Sequence, residues 1–354
     1  MAHPASIGVQ QGRGAYRALV QRKKLVLLAL TIVLALSVIA DLGLGPARYT
    51  MGEVLLALSG SEEVSHQISV VIWEIRMPVA LMAVVVGAAL SAAGAQMQTI
   101  LNNPLASPFT LGISAAASFG ASLALVFGVG LLPFAIEYVV SINALLMAMA
   151  AALFIHLMSQ RRGVTVETIV LLGITLVFTF NALLALVQFL ASEQALAAVV
   201  FWTMGSLTRA TWPKLTITAA ILAVSLPLFF RRSWALTALR LGEDKAASFG
   251  VNVRWLRLET MLVVSVLAAV PVAFVGTIGF VGLVGPHVAR MLIGEDQRFF
   301  LPASALAGAA MLSLTSVISK SLIPGSIIPI GIITALVGVP FLFSLIMMSR
   351  GRAW

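Results

Sequence analysis

Few residues in this chain are of types that do chemistry, and they cluster. Between Arg231 and Arg257 the stretch RRSWALTALRLGEDKAASFGVNVRWLR interrupts an otherwise apolar sequence, with Arg231, Arg232, Arg240, Lys245, Arg254 and Arg257 set against Glu243 and Asp244. A basic loop between apolar runs is retained on the cytoplasmic side of a membrane. Within it, Ala235 to Gly250 reads as one short helix: Leu236, Leu239, Ala246, Ala247 and Phe249 supply apolar contacts, and Gly250 is a C-terminal stop. Such a helix is either a docking element or part of an ordinary solvated loop.

The remaining polar groups are scattered. Asn143, Asn181, Gln188, His156 and His287 fall singly inside apolar runs, while Asp41, Glu167, Glu259 and Lys320 fall near their ends. No acidic residue is expected at a membrane midplane, where ion-coupled carriers usually hold their coupling group and cation channels their acidic rings. His156 and His287 have no third ligand to complete a metal site and read as packing residues. The chain has no G-x-x-x-x-G-K-[ST] loop to cradle phosphates, and no H-E-x-x-H or G-x-S-x-G element for catalysis. If ATP drives anything here, another polypeptide hydrolyses it.

The elements that must position these residues are membrane spans. A chain of 354 residues that is 60% hydrophobic and 10% charged is an all-α polytopic membrane protein. Its net charge of +9 resides in clusters at span ends, which points to membrane orientation and away from nucleic acid. With no cysteine there is no disulfide framework and no thiolate site. Residues 1 to 24 read as a basic N-terminal segment, and the run from Leu25 to Ala40 as a retained first span, since no small-residue cleavage site follows it. A single transmembrane domain then covers 25 to 349, with the loop 231 to 257 inside it and a tail at 350 to 354.

Ten spans are expected, at 25 to 43, 77 to 100, 111 to 131, 138 to 158, 166 to 191, 213 to 230, 256 to 275, 279 to 293, 300 to 320 and 327 to 348, so that both termini share the cytoplasmic side. That arrangement puts 17 basic residues inside (Arg13, Arg17, Arg22, Lys23, Lys24, Arg161, Arg162, the six of the central loop, Arg290, Arg298, Arg350 and Arg352) and 5 outside (Arg48, Arg76, Arg209, Lys214 and Lys320). The small residues from Gly87 to Ala95, and Gly112, Ala116 and Gly120 at spacing four, form faces that let helices approach closely in lipid. Gly276, Gly279, Gly282, Gly285 and Pro286 predict an irregular or broken segment, because a span of about fifteen residues reaches only roughly 22 Å.

Four blocks, in order, carry a resemblance: IRMPVALMAVVVGAALSAAGAQMQTILNNPLASPFTLGIS (Ile75 to Ser114), LGEDKAASFGVNV (Leu241 to Val253), GTIGFVGLVGPHVARMLIGEDQRFFLPASALAGA (Gly276 to Ala309) and PIGIITALVGVPFLF (Pro329 to Phe343). Together they resemble the FecCD permeases of type II ABC importers, which serve iron siderophores, haem and cobalamin. The resemblance implies a ten-helix, cobalamin-importer-permease-like subunit in the bacterial inner membrane, paired with a second copy or a sister permease. It also implies cytoplasmic ABC ATPase subunits that carry ATP and magnesium, a periplasmic or lipid-anchored substrate-binding protein outside, and no cofactor on this chain. The expected cargo is a ferric siderophore, with haem and cobalamin as alternatives and a stand-alone gradient-driven carrier as the competing class.

By the same resemblance, Leu239, Leu241, Gly242, Glu243, Ala246, Ala247 and Gly250 form the helix that couples to the ATPase. Arg76 and Lys320 are expected to meet the binding protein, although Val79 stands where many relatives have a further arginine. Asn103, Pro104 and Leu105, with Val166 and Glu167 at the start of the fifth span, are expected to close the cytoplasmic mouth. Glu167 departs from the small hydroxyl residues that relatives often place there.

Overall fold

The computed structural model describes residues 4–47, 49–61, 64–130, 138–161 and 163–348. Arg48, Arg162, Arg350 and Arg352 of the charge tally, and the tail 350 to 354, lie outside the described residues. Among those described, every regular element is helical.

The first helix, α1 (Pro4–Gly43), runs for 40 residues without a break at residue 24, so the expected N-terminal segment is its first half. At 1.5 Å per residue it is about 60 Å long, twice the hydrocarbon core. After it come two short helices, α2 (Met51–Ser59) and α3 (His66–Val70), and a π-helical turn, Val71–Arg76, that leads directly into α4 (Met77–Ile100). A capping box fixes the start of α2: Glu53 N–H donates to Thr50 Oγ1, and Thr50 N–H donates to Glu53 Oε2 at 2.7 Å.

The middle of the chain supplies α5 (Ile113–Phe127), α6 (Val139–Ser159), α7 (Val166–Phe189), α8 (Glu193–Thr203), a 3-10 turn at Leu207–Arg209, and α9 (Trp212–Arg231). Two short helices follow, α10 (Ser233–Leu239) and α11 (Glu243–Ser248), and then α12 (Val253–Val275), α13 (Val281–Ile293), α14 (Gln297–Ser321) and α15 (Ile330–Met348). Among the described residues seven helical spans are long and apolar enough to cross a membrane, and α5, α13 and α15 are shorter apolar helices. Each of the ten expected spans coincides with one of these.

The core is organised around α4, most of which is buried among α14, α12, α13 and α9. In lipid the hydrophobic effect does not drive helices together, so close van der Waals packing must. Gly87 and Ser91 on α4, four residues apart, interlock with Ser304 and Gly308 on α14, also four apart. A Cβ on Gly87 would stand 2.4 Å from the Gly308 carbonyl oxygen, and Ser91 Oγ donates to the Ser304 carbonyl at 2.5 Å. One turn further on, a Cβ on Gly94 would stand 1.7 Å from the Gly282 carbonyl oxygen on α13. Gly120 on α5 packs likewise against the Asn143 backbone of α6.

The glycine-rich segment is broken as its spacing predicts. The helix α12 stops at Gly276, with φ 80°, and α13 starts after Phe280, with φ 67°. The break is held by backbone bonds: Ser206 N–H donates to Val275 O at 2.7 Å, Ile330 N–H to Gly205 O at 3.2 Å and Gly331 N–H to Met204 O at 3.0 Å. These bonds join the end of α8, the end of α12 and the start of α15. Beside them lies a cavity of about 650 Å³, walled by Phe109, Met204, Thr277, Phe280, Leu336 and Val339 among others.

The periphery is apolar and unpartnered. On α7, Leu171, Phe178, Leu186 and Phe189 are exposed, and on α15 so are Leu336, Val339 and Phe343. Basic side chains gather at the two ends of the bundle and are more numerous at one: it carries Lys23, Arg232, Arg240, Arg254, Arg257, Arg290 and Arg298, whereas the opposite end carries Arg76, Arg209, Lys214 and Lys320.

Candidate functional site

At the basic end, residues 233 to 248 form two helices rather than the single one expected. The break falls at Arg240 to Gly242, where Gly242 takes φ 109°, which no helix contains and which only glycine adopts without strain. Leu236, Leu239 and Ala246 are buried and anchor the two helices to the bundle. Trp234, Leu241, Phe249 and Trp255 turn outward, each more than half exposed. Ala247 and Gly250 are exposed as well. The result is an apolar, cation-rimmed platform rigidly seated on the end of the bundle.

The platform is bonded to the segment that follows α4. Glu243 Oε1 accepts from Arg257 Nη2 at 2.5 Å, and Arg257 Nε donates to the Ile100 carbonyl at 3.1 Å. Arg240 Nη1 donates to Asn102 Oδ1 at 3.0 Å. Asn102 has φ 43°, a left-handed conformation in which asparagine is one of the better-tolerated residues. Directly after it, Asn103 Oδ1 accepts from the Leu105 N–H at 2.9 Å and fixes the turn through Pro104. Leu105 is exposed, Ala106, Ser107 and Pro108 are buried, and Phe109 reaches the wall of the large cavity. Arg240 and Arg257 thus link the neighbourhood of the expected coupling residues to Ile100 and Asn102, just before the Asn103–Pro104–Leu105 turn.

Val166 is half-buried and Glu167 exposed in the first turn of α7, capped by Thr165, whose Oγ1 accepts from the Thr168 N–H. Among the described residues no hydrogen bond or ion pair links this turn to residues 103 to 105.

Sequence reasoning missed Glu295. It lies in the corner between α13 and α14 and is gripped from both sides. Arg240 pairs with both of its carboxylate oxygens, and Arg290 Nε stands 2.9 Å from Oε1. Arg290 Nη2 also donates to Gln98 Oε1 at 2.9 Å, which ties the same corner to the end of α4. Buried amides complete the joint: Gln96 Nε2 donates to Gln297 Oε1 at 3.0 Å, and Gln297 Nε2 donates to Thr99 Oγ1 at 2.9 Å. A partner 55 residues away leaves no periodic signal; only the acidic residue in G-E-D at the head of a span hinted at it.

At the opposite end lie Arg76 and Lys320, the residues expected to meet a binding protein. Arg76 is buried, Lys320 is half-buried with its side chain covered, and both have partners within the chain. Arg76 is 5% exposed, with Nη1 donating to Leu42 O at 2.8 Å, Nη2 donating to Ala47 O, and its guanidinium over the Tyr49 ring. Lys320 Nζ lies 2.8 Å from Asp41 Oδ2. Burial leaves a cation no water to bind, so it takes carbonyls or a carboxylate from the nearest elements, here the end of α1 and the segment after it.

The two histidines sit apart. His287 meets the Phe341 ring edge-on, and His156 Nε2 lies 3.0 Å from Gln160 Nε2. No group of three potential metal ligands occurs among the described residues.

Fold and site define a polytopic helical membrane subunit with a rigid platform at its basic end, bonded to a loop that reaches a large apolar cavity. Comparison with known proteins agrees. The chain belongs to the FecCD transport family, whose profile matches residues 31–348. Two similar proteins carry provisional assignments. An ABC transporter permease of Methanocaldococcus jannaschii is 41% identical over 343 residues, 95% of this chain and 98% of its own. An iron chelatin transport system permease of Helicobacter pylori is 37% identical over 294 residues, 82% of this chain and 86% of its own. The solved inward-facing structure of an ABC transporter, provisionally of metal-chelate type, superposes with a TM-score of 0.79 at 32% identity, covering 91% of this chain and 98% of that one. The chain is thus a multi-pass membrane protein and an ABC transporter permease.

Proposed function

We propose that this chain is the permease subunit of a binding-protein-dependent importer in the bacterial inner membrane, and that it moves a ferric siderophore into the cytoplasm by ATP-driven alternating access. The observation that carries the reading is the platform of α10 and α11. Its outward Trp234, Leu241 and Phe249, with Trp255 beside them at the start of α12, suit a protein groove; Arg240 bonds Asn102, and Arg257 of α12 joins Glu243 to Ile100, just before the Asn103–Pro104–Leu105 turn. A push can be transmitted only through a rigid contact, and short helices anchored by buried Leu236, Leu239 and Ala246 provide one.

In this reading the partner is a cytoplasmic ABC ATPase that carries ATP and magnesium. A periplasmic or lipid-anchored binding protein delivers the cargo at the opposite end, and the exposed α7 and α15 face a second permease across the path. The large cavity has no ionisable side chain in its wall. That suits a path without a strong site, with affinity held by the binding protein. An iron chelate is favoured because the Helicobacter relative is described for iron chelatin; hemin and vitamin B12 permeases are also among the relatives and supply the alternatives. The gradient-driven carrier gains nothing from the structure: Asp41, the one fully buried carboxylate among the described residues, is neutralised by Lys320.

The test is uptake of ferric siderophore into vesicles bearing the reconstituted complex. Uptake should require ATP on the platform side and should stop without it. Accumulation that continues without ATP would refute the mechanism.

A further inference from the structure

Among the described residues Glu295 is the one acidic side chain that contacts two arginines from different elements, and nothing in the reading above gives it a role. Arg240 belongs to the break between α10 and α11, Arg290 to the last turn of α13, and Glu295 to the corner that starts α14. Arg240 uses its remaining nitrogen on Asn102 Oδ1 at 3.0 Å. One guanidinium therefore holds the platform, the α13–α14 corner and the second residue after α4 in a fixed relation. The side chains of Arg240 and Arg290 are 16% and 17% exposed and that of Glu295 is 40% exposed, so the grip rests on geometry at the edge of the bundle.

Asn102 is where the grip acts. It is one of two non-glycine residues with positive φ among the described residues, and the other, Phe280, lines the cavity. A backbone in a sparsely populated region persists only when its surroundings hold it there, and such residues mark places where a chain switches conformation. Here backbone bonds from Asn102 N–H to Thr99 O and from Asn103 N–H to Gln98 O close the end of α4, and the Arg240 guanidinium adds a long-range hold on the Asn102 side chain. Seven residues on, Phe109 forms part of the cavity wall. The segment from Asn102 to Phe109 thus has one end tied to the platform and the other in the path.

We infer that Arg240, Glu295 and Asn102 form a transmission node: positioning residues that convert movement of the α10–α11 platform into movement of the 102–109 segment. Glu295 aims Arg240, and Arg240 holds Asn102. The inference rests on the reading of α10–α11 as the ATPase-coupling element. It requires that breaking the node separate nucleotide hydrolysis from movement of the segment, with assembly unaffected.

Because the chain has no cysteine, Leu105→Cys offers a unique site for a nitroxide or fluorescent label on the exposed part of the segment. The labelled chain, purified with its ATPase, is given magnesium ATP and then vanadate, and the label's signal is followed with the hydrolysis rate. In the background carrying only Leu105→Cys, trapping should shift the signal. Glu295→Gln and Arg240→Gln should retain hydrolysis and lose the shift. Asn102→Gly separates this from misfolding, since glycine takes φ 43° freely but offers Arg240 no acceptor; it too should lose the shift. Asn102→Asp keeps both the conformation and the acceptor and should retain it. A shift that persists in Glu295→Gln, Arg240→Gln and Asn102→Gly overturns the inference. If no ATPase accompanies the background chain, the coupling reading itself has failed before any node variant is made, and the inference goes with it.

Discussion

Lys320 and Asp41 form an ion pair of 2.8 Å between α14 and the end of α1, with side chains only 6% and 0% exposed. α1 is otherwise a peripheral helix, 17% buried over its apolar window. Its attachments to α14 include this pair and the bond from Ser37 Oγ to Ser313 Oγ at 2.8 Å. Removing one partner of a buried pair strands the other charge, so Lys320→Met should lower stability by about 3–5 kcal/mol, while the double change with Asp41→Leu should recover most of the loss. Unfolding midpoints in mild detergent would measure both, and a single variant as stable as the parent would argue that α1 is held by other means.

The α4–α13 crossing depends on a missing side chain. Gly94→Ala places a methyl group 1.7 Å from the Gly282 carbonyl oxygen, and backbone on both sides leaves nothing flexible to yield. The expected loss is about 1–3 kcal/mol, seen as a lower unfolding temperature and a smaller monodisperse yield. Gly52→Ala, whose new Cβ would meet only Thr50 Oγ1 at 3.9 Å, is the control and should behave as the parent.

Asp296 caps α14, and hydrogen bonds from Arg298 are the main reason its carboxyl sits below the ordinary value of 3.8. A depressed carboxyl pKa stabilises the folded state above the unfolded value, and that stability is lost as the pH falls through the folded one. The parent should therefore lose thermal stability on acidification below about pH 4, and Asp296→Asn should show a shallower acid limb. Equal slopes for the two proteins would contradict the assignment.

Glu243→Lys turns the Arg257 contact into a repulsion and frees Arg257 from the platform edge, although Ile100 O still accepts from it. The yield of the complex with an ATPase should fall, and hydrolysis with it. Glu243→Gln, which keeps an acceptor for Arg257, should be milder. An unchanged complex and rate for Glu243→Lys would remove Glu243 from the coupling element.

Much of this fold is legible in the sequence, for specific reasons. Spans follow from hydropathy, which is why ten apolar runs and ten helices coincide. The small residues around Gly87 and Gly94 signal close approach because no other side chain would fit. The glycines from Gly276 to Gly285 signal a break because a span that short cannot cross as a plain helix. What the sequence leaves unread depends mostly on partners distant along the chain. Arg76 and Lys320 look like surface cations when counted along the chain, but α1 and the segment after it cover them. Gly242 lies inside a run with helical spacing, and only the fold shows that the chain turns there. The outer helices α2 and α8 are too short, and too mixed in composition, to stand out from loops. The grip on Glu295 is hard to read because Arg240, which takes both its carboxylate oxygens, lies 55 residues away.

The central claim is that this permease is driven from its platform by a separate ATPase. The most direct test is to tag the chain in its native host, extract it in mild detergent, identify what co-purifies in stoichiometric amount, and assay ATP hydrolysis in the same sample. The account predicts an ABC ATPase in the complex and hydrolysis that rises when the cognate binding protein is added. A chain that emerges alone and without hydrolysis across several detergents would contradict it.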